Sequence, residues 1–510
     1  MTNKLFTLLL TCSFVISFAQ QKTLNDITTF KIKNSGSFLD SNNDVDGYYF
    51  YYEVDKLKKG KREYAIKMLD NNLNELATKS YVDDKNTYLA QSNFNNDALM
   101  FAMVNLKERQ YKLVQFDKQG NQSDEQIIPV SKKEIRWLSA MMQSGNFNLL
   151  YPVDNKGFLF NYVRDNKKLG YGLKYISTDG GKSWDFNSPS EAKEILTFNP
   201  IQANEDVIVA LESSKKSVLS KSIDMKVLVI DINSGKKLFE RSYDKSDDPR
   251  LITNAFLTKD KKVVLLGEYF DSGDNIMTSK SLGLFSQTLD YEGKKLSDSK
   301  VDWENQIDAM MPPDSEGKKR ARGYVYFHDI QKTDTGYYCI GERYRKTASA
   351  GGIALAVLSR GNSNVTQLTI TDAVIFKFND NFELQAIDNF PKGKSRAPSI
   401  TDFGSPQLNA HALKSFGAFD YGFTQRHSSR DRFYAMFIDY ERLKGEKNKL
   451  AFKSIIYNDG QLSEDKIYLE NNDSKTKYRV LPGKLGHVLL MEYNKKKKTL
   501  DIHLEKLNID

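Results

Sequence analysis

Disulfides cannot hold this chain together. It has two cysteines in 510 residues, Cys12 and Cys339. The first lies in a stretch with the marks of a removable signal, so Cys339 is left without a partner and stability must come from a packed core. Histidine is almost as scarce: His328, His411, His427, His487 and His503 are all there are. They are scattered, and with no His-Glu-x-x-His and no Cys/His cluster the familiar zinc-enzyme patterns fall away. Gly-x-Ser-x-Gly and Gly-rich phosphate loops are missing too, which removes the common hydrolase and nucleotide-binding signatures. No apolar segment after the N-terminus reaches the roughly eighteen residues of a membrane span. Charge of one sign is also lacking: 74 basic and 66 acidic residues leave a net charge of +8, a well-solvated surface rather than a nucleic-acid footprint.

What is present begins with residues 1–19, which read as a signal peptide: Lys4 opens it, Leu5 to Phe18 form an apolar run, and Ser17-Phe18-Ala19 offer a small-residue cleavage site before Gln20. Export to the periplasm or the exterior is expected. The mature chain, residues 20–510, is expected to be a single domain.

Helical periodicity is scarce there. What recurs is a pair of short apolar or alternating runs, a turn rich in Asp, Asn and Gly, and a weaker run. The turns begin at Asp70, Asp117, Asp179, Asp231, Asp290, Asn379 and Asn458, each after an alternating strand such as Tyr64–Leu69 or Phe452–Tyr457. Second strands such as Leu99–Leu106 and Val263–Tyr269 precede them. An all-strand repeat of this kind predicts an all-β propeller of four-stranded antiparallel blades. After seven full units come three more strands, Tyr478–Leu481, His487–Tyr493 and Thr499–Lys506, with no fourth. The N-terminal segment Ile27–Asn34 is expected to fill that place and close the ring. Eight blades are predicted, with seven, or a pair of β-sandwiches, as the alternatives.

One turn carries a recognisable signature. Ser177-x-Asp179-x-Gly181-x-Ser183-Trp184 resembles an Asp box of the BNR type, in which the carboxylate accepts backbone N–H groups, glycine supplies the turn and the indole wedges against the blade. The resemblance implies a propeller most similar to uncharacterised exported propellers of Gram-negative bacteria, and it implies no activity. Sialidases share the box, but their Arg-Ile-Pro-like motif is absent, since the first arginine, Arg62, is followed by Glu63.

Function is read from unevenness in the repeat. Three inserts, 304–323, 344–371 and 392–415, interrupt units five to seven, and the strand grammar puts all three on one face. Nine of the seventeen arginines fall between residues 320 and 432. Arg320, Arg322, Arg343, Arg345, Arg396 and Arg426 are therefore candidates for binding an anionic glycan or a protein ligand, with His411 and His427 flanking the same arc. Asn42-x-Asp44-x-Asp46-Gly47, with Glu53 at the twelfth position and Asp40 ahead, resembles a calcium loop. It departs from the EF-hand at its first position and in its strand-like flanks, so a structural calcium is the one cofactor suggested. The expectation is a non-enzymatic binding or scaffold propeller acting through blades five to seven. The alternative is a glycan-active hydrolase with its carboxylates in the central channel. Nucleic acid is not an expected partner.

Overall fold

In the computed structural model the runs read as second and third strands are the buried middle of separate sheets. The structure describes residues 20–508 except 26, 41, 43, 145–147, 218–219, 221–222, 244–246, 314–322, 353–363, 428–430, 442–448 and 470–475. The signal-like stretch 1–19 lies outside the described residues. Eight sheets follow one another, seven of them with their four main strands in chain order. Blade 1 spans 35–84, blade 2 87–129, blade 3 150–187, blade 4 195–242, blade 5 250–302, blade 6 324–390 and blade 7 421–468. In the second strand of blade 2, Leu99–Asn105, every residue is buried, whereas the fourth strand, Gln122–Pro129, is largely exposed. Second and third strands thus fill the seams between blades, and fourth strands form the rim.

Blade 8 closes the ring, with one correction to the sequence reading. Its strands Thr476–Pro482, His487–Asn494 and Thr499–Lys506 take their fourth partner from Gln21–Leu24, in the register Gln21↔His503 to Leu24↔Leu500. Ile27–Asn34 is not the closing strand. Its apolar side chains break the two-residue alternation a strand needs, and Ile27 and Phe30 instead bury themselves in the seam between blades 8 and 1, Phe30 edge-on to Tyr493.

The third-to-fourth turns share a device. Asp70 Oδ1 accepts from Asn72 N at 2.9 Å and Asn74 N at 2.8 Å, and Asp117, Asp290 and Asn379 repeat this with the residues two and four on. Satisfying two backbone donors from one side chain is what favours Asp and Asn there. In blade 3, Asp179 Oδ1 accepts from Gly181 N at 2.9 Å and Ser177 Oγ at 2.7 Å, and these bonds hold its carboxyl down at about 2. Trp184 stacks on Tyr175 and donates Nε1–H to the Ile232 carbonyl of blade 4 at 2.7 Å. Its ring lies over Gly235, where a Cβ would come within 2.6 Å.

First-to-second and third-to-fourth hairpins emerge at one end of the propeller, here the hairpin end. The other connections emerge at the opposite, connection end. The described parts of all three inserts lie at the connection end. The second and third strands of blade 6 run on to Ala348 and back from Thr366, a fifth strand, Ser395–Pro398, pairs with the third, and a helix, Pro406–Ser415, precedes blade 7. A helix over Lys132–Ser144, between blades 2 and 3, was not expected. Its start is a capping box in which Glu134 N donates to Ser131 Oγ at 3.1 Å and Ser131 N to Glu134 Oε2 at 2.6 Å.

Candidate functional site

First strands line a central cavity of about 940 Å³ that runs from Asn42 and Arg426 at the hairpin end to Tyr326 and Lys414 towards the connection end. Five of these strands carry one extra residue at the same place, a β-bulge: Ala90, Ile201, Thr253, His328 and Gly422 in blades 2, 4, 5, 6 and 7. The residues that follow are Gln91, Gln202, Asn254, Asp329 and Phe423. Gln91 shows the ordinary use of the position: its Nε2 donates to Leu150 O at 3.0 Å and its Oε1 accepts from Leu149 N at 2.8 Å, tying blade 2 to blade 3. Of the five blades only blade 6 places two titratable groups there, and both His328 and Asp329 line the cavity. Bulges re-aim side chains, and in this blade the re-aimed group is an imidazole.

His328 is fully enclosed yet incompletely paired. Its Nε2 lies 2.9 Å from Glu342 Oε2 and its ring stacks on Tyr421 at 4.7 Å. Among the described residues Nδ1 has no hydrogen-bond partner. Burial pushes its pKa down to about 4, so the ring is neutral at pH 7. Glu342 also accepts from Tyr421 N at 3.0 Å and lies 2.9 Å from Lys392 Nζ, and Lys392 in turn pairs with Asp420. Burial opposes charge on Glu342, but Lys392 and His328 outweigh it and hold the carboxyl below its usual range. Burial raises Asp420, whose carboxylate also accepts from Ser395 Oγ at 2.6 Å.

Asp329 accepts from Ile330 N and Gln331 Nε2, each at 2.8 Å, and burial lifts its pKa above the usual carboxylate range. Lys414 completes the wall from the inserted helix. Ser405 caps that helix by accepting from Leu408 N at 3.0 Å, and Pro406 starts it. Asn409 donates to Thr401 O, Gly404 O and Ser405 O, while Lys346 of blade 6 donates to Asp402 O at 2.6 Å and Gly404 O at 2.8 Å. So anchored, the helix sets Lys414 Nζ 4.8 Å from the Tyr421 ring centre. Burial pushes the ammonium down to about 8 against the pull of Glu342 and Asp329, and among the described residues no carboxylate forms an ion pair with it.

The residues singled out from sequence are placed differently. Arg320 and Arg322 lie outside the described residues. Arg343 is buried, 3.8 Å from Asp372. Arg345 and Arg396 both flank Thr369 on adjacent strands, Arg396 exposed, in the blade 6 extension. Arg426 is not on the insert-bearing face: it sits near the far end of the strand Tyr421–His427, at the hairpin end, 3.6 Å from Asp431. His427 shares that end, with Nδ1 3.0 Å from Asp44 Oδ1, whereas His411 lies on the inserted helix near Tyr326, so the two histidines do not meet. A strand run carries its two ends to opposite faces, and sequence proximity conceals this.

The five calcium candidates are also spread out. Asp40 accepts from Asn42 N at 2.8 Å and Asp44 N at 3.0 Å in a turn, Asp46 pairs with Lys118 at 2.8 Å, and Glu53 pairs with Arg62 at 2.6 Å. Asp46 and Glu53 lie along one strand, Val45–Lys56, about 20 Å apart by strand rise. Among the described residues no three His, Cys, Asp or Glu side chains gather closely enough to hold a metal. Sequence reasoning missed His328, Asp329, Lys392 and Lys414. A signal existed: Gly267-Glu268 and Gly341-Glu342 recur at the same register of blades 5 and 6. The bulge brings the first strand so close that a Cβ would meet its carbonyl, at 2.0 Å on Gly267 and 2.7 Å on Gly341.

Eight antiparallel blades around a channel define a β-propeller. The chain belongs to the DUF6770 family, a family of unknown function whose model matches residues 1–508. No curated protein matches it. Among solved structures it is similar to the WD40 domain of SCAP from fission yeast, at 5% identity and a TM-score of 0.37, covering 95% of this chain and 94% of that one. It is also similar to prolyl oligopeptidase B from Galerina marginata, at 10% identity and a TM-score of 0.39, covering 93% of this chain and 56% of that one. A subtype N10 neuraminidase-like protein of A/little yellow-shouldered bat/Guatemala/060/2010 matches at 10% identity and a TM-score of 0.29, over 71% of this chain and 94% of that one. Among the described residues no helix is long and apolar enough to cross a membrane.

Proposed function

We propose that this is an exported, non-enzymatic binding propeller that holds a small anionic ligand, such as a uronic acid sugar, in the channel beside blade 6. The observation that carries the reading is Lys414, a cation without an ion-pair partner among the described residues, on the wall of the central cavity. A half-buried charge left unpaired is partly desolvated at a cost, and an anionic ligand supplies the missing partner. Asp329, which lines the cavity, adds a polar group that fixes orientation. Pockets of roughly 300–1,000 Å³ suit small ligands. The Asp-box-like turn of blade 3 then serves the fold alone, as in the exported propellers it resembles. A hydrolase reading needs a second carboxylate opposite Asp329. The cavity's other carboxylate, Asp260, is 62% exposed and bound to Lys262, which favours binding over hydrolysis.

The test is calorimetric titration of the mature protein with a glucuronate-terminated disaccharide and with its neutral glucose counterpart. Binding of the acidic sugar alone, abolished in Lys414→Met and retained in Arg396→Ala, is expected. Equal binding of both sugars, or loss in Arg396→Ala but not in Lys414→Met, overturns the reading.

A further inference from the structure

Lys414 has neighbours suited to more than electrostatic binding. Lys414 lines the cavity, and among the described residues its amine forms no ion pair. The groups around it come from four elements: Asp329 and His328 on the first strand of blade 6, Glu342 on the second, Lys392 before the fifth strand, and Tyr421 at the start of blade 7. Lys392, by contrast, is held charged between Glu342 and Asp420. Of the other lysines along the cavity, Lys332 pairs with Asp380 and Lys259 is exposed, so Lys414 is the amine set into the wall near Asp329, a carboxyl able to carry a proton.

We infer that Lys414 is a nucleophilic amine that captures a ligand carbonyl as an imine, the ligand class being small aldehydes or 2-oxo acids that carry a carboxylate. This rests on the cavity being the ligand seat. The amine lone pair attacks the carbonyl carbon, the C=O π pair moves to oxygen, and a proton passes from nitrogen to that oxygen to give the carbinolamine. The Asp329 carboxyl then protonates the hydroxyl, water leaves, and the C=N bond forms. The resulting iminium returns its N–H proton to Asp329, so amine and aldehyde become imine and water, with the acid restored. Burial, which lowers the amine to about 8, keeps part of it unprotonated near neutral pH, and the neutral His328 ring adds no competing charge.

The experiment uses the mature protein with glyoxylate and cyanoborohydride at pH 7, read by intact mass and peptide mapping, with acetaldehyde and acetate as controls. Expected is a single reduced adduct on Lys414, formed at least tenfold faster than on exposed lysines away from the cavity such as Lys496. The labelling rate should rise with pH through a midpoint near 8 in the unmutated protein, and Asp329→Asn should slow it without moving the site. That pH profile needs no variant to fold. Labelling spread over exposed lysines, or a Lys414 rate that rises only near pH 10, overturns the inference. Failure here beside Lys414-dependent glucuronate binding sinks the imine alone. Adduct formation without glucuronate binding sinks the anionic-sugar reading and keeps the imine.

Discussion

Blades 5 and 6 put the same dipeptide at the same place, Gly267-Glu268 and Gly341-Glu342, yet the two carboxyls are in opposite states. Among the described residues no cation pairs with Glu268. Burial pushes it up to about 8, so it stands neutral at pH 7, and Ser281 Oγ donates to it. Glu342 has Lys392 2.9 Å away, supplied by the insert that follows blade 6, and stays ionised. The bulge differs likewise: Thr253-Asn254 against His328-Asp329. Blade 5 shows that the bulged strand folds without a titratable pair. The charged set of blade 6 is therefore an addition to the propeller, brought by the inserts, and its location is an argument about function rather than fold.

The largest break in this comparison should come from Glu342→Ala, which strands Lys392 in the interior and is expected to cost about 3–5 kcal/mol in urea unfolding. Glu268→Gln, which swaps one neutral hydrogen-bonding group for another, should cost about 1 kcal/mol. Equal losses would erase the distinction between the blades. The pH dependence follows with its sign. Glu268 has a raised pKa, so below about 4.5 the proton is bound in both states, and between there and about 8 only the folded protein keeps it. Its contribution falls across that window by up to about 5 kcal/mol, and Glu268→Gln should flatten the decline. His328 runs the other way. Its lowered pKa means that stability is lost as pH falls from about 6.5 to 4, a loss that His328→Thr, the residue of blade 5, should remove.

Smaller effects sharpen the contrast between site and scaffold. Lys414→Met removes an unpaired, half-buried ammonium and should stabilise the protein by about 1 kcal/mol or less at pH 7, visible as a raised Tm. A lowered Tm would mean that Lys414 serves the fold. Asp179→Asn, at the Asp-box-like turn, should change stability by about 0.5 kcal/mol or less and leave ligand binding unchanged.

Much of the fold was legible because its devices are local. Asp70, Asp117, Asp290 and Asn379 each accept two nearby N–H groups, and such residues can be recognised where they stand. The capping box Ser131–Glu134 was equally readable and was passed over. The closing strand was misplaced because Ile27 and Phe30 look like strand residues, although they fill a seam. The site was hidden for a different reason. Asp329, Glu342, Lys392 and Lys414 come from separate elements, and counting arginines pointed instead to Arg343, which is buried 3.8 Å from Asp372, and to Arg426, which lies at the other end of its strand.

A crystal of the mature protein soaked with a glucuronate-terminated disaccharide tests the central claim most directly. Sugar density in the channel, with its carboxylate against Lys414 Nζ, is the predicted result. Density at any other place on the protein, with the channel holding only solvent, would contradict the account.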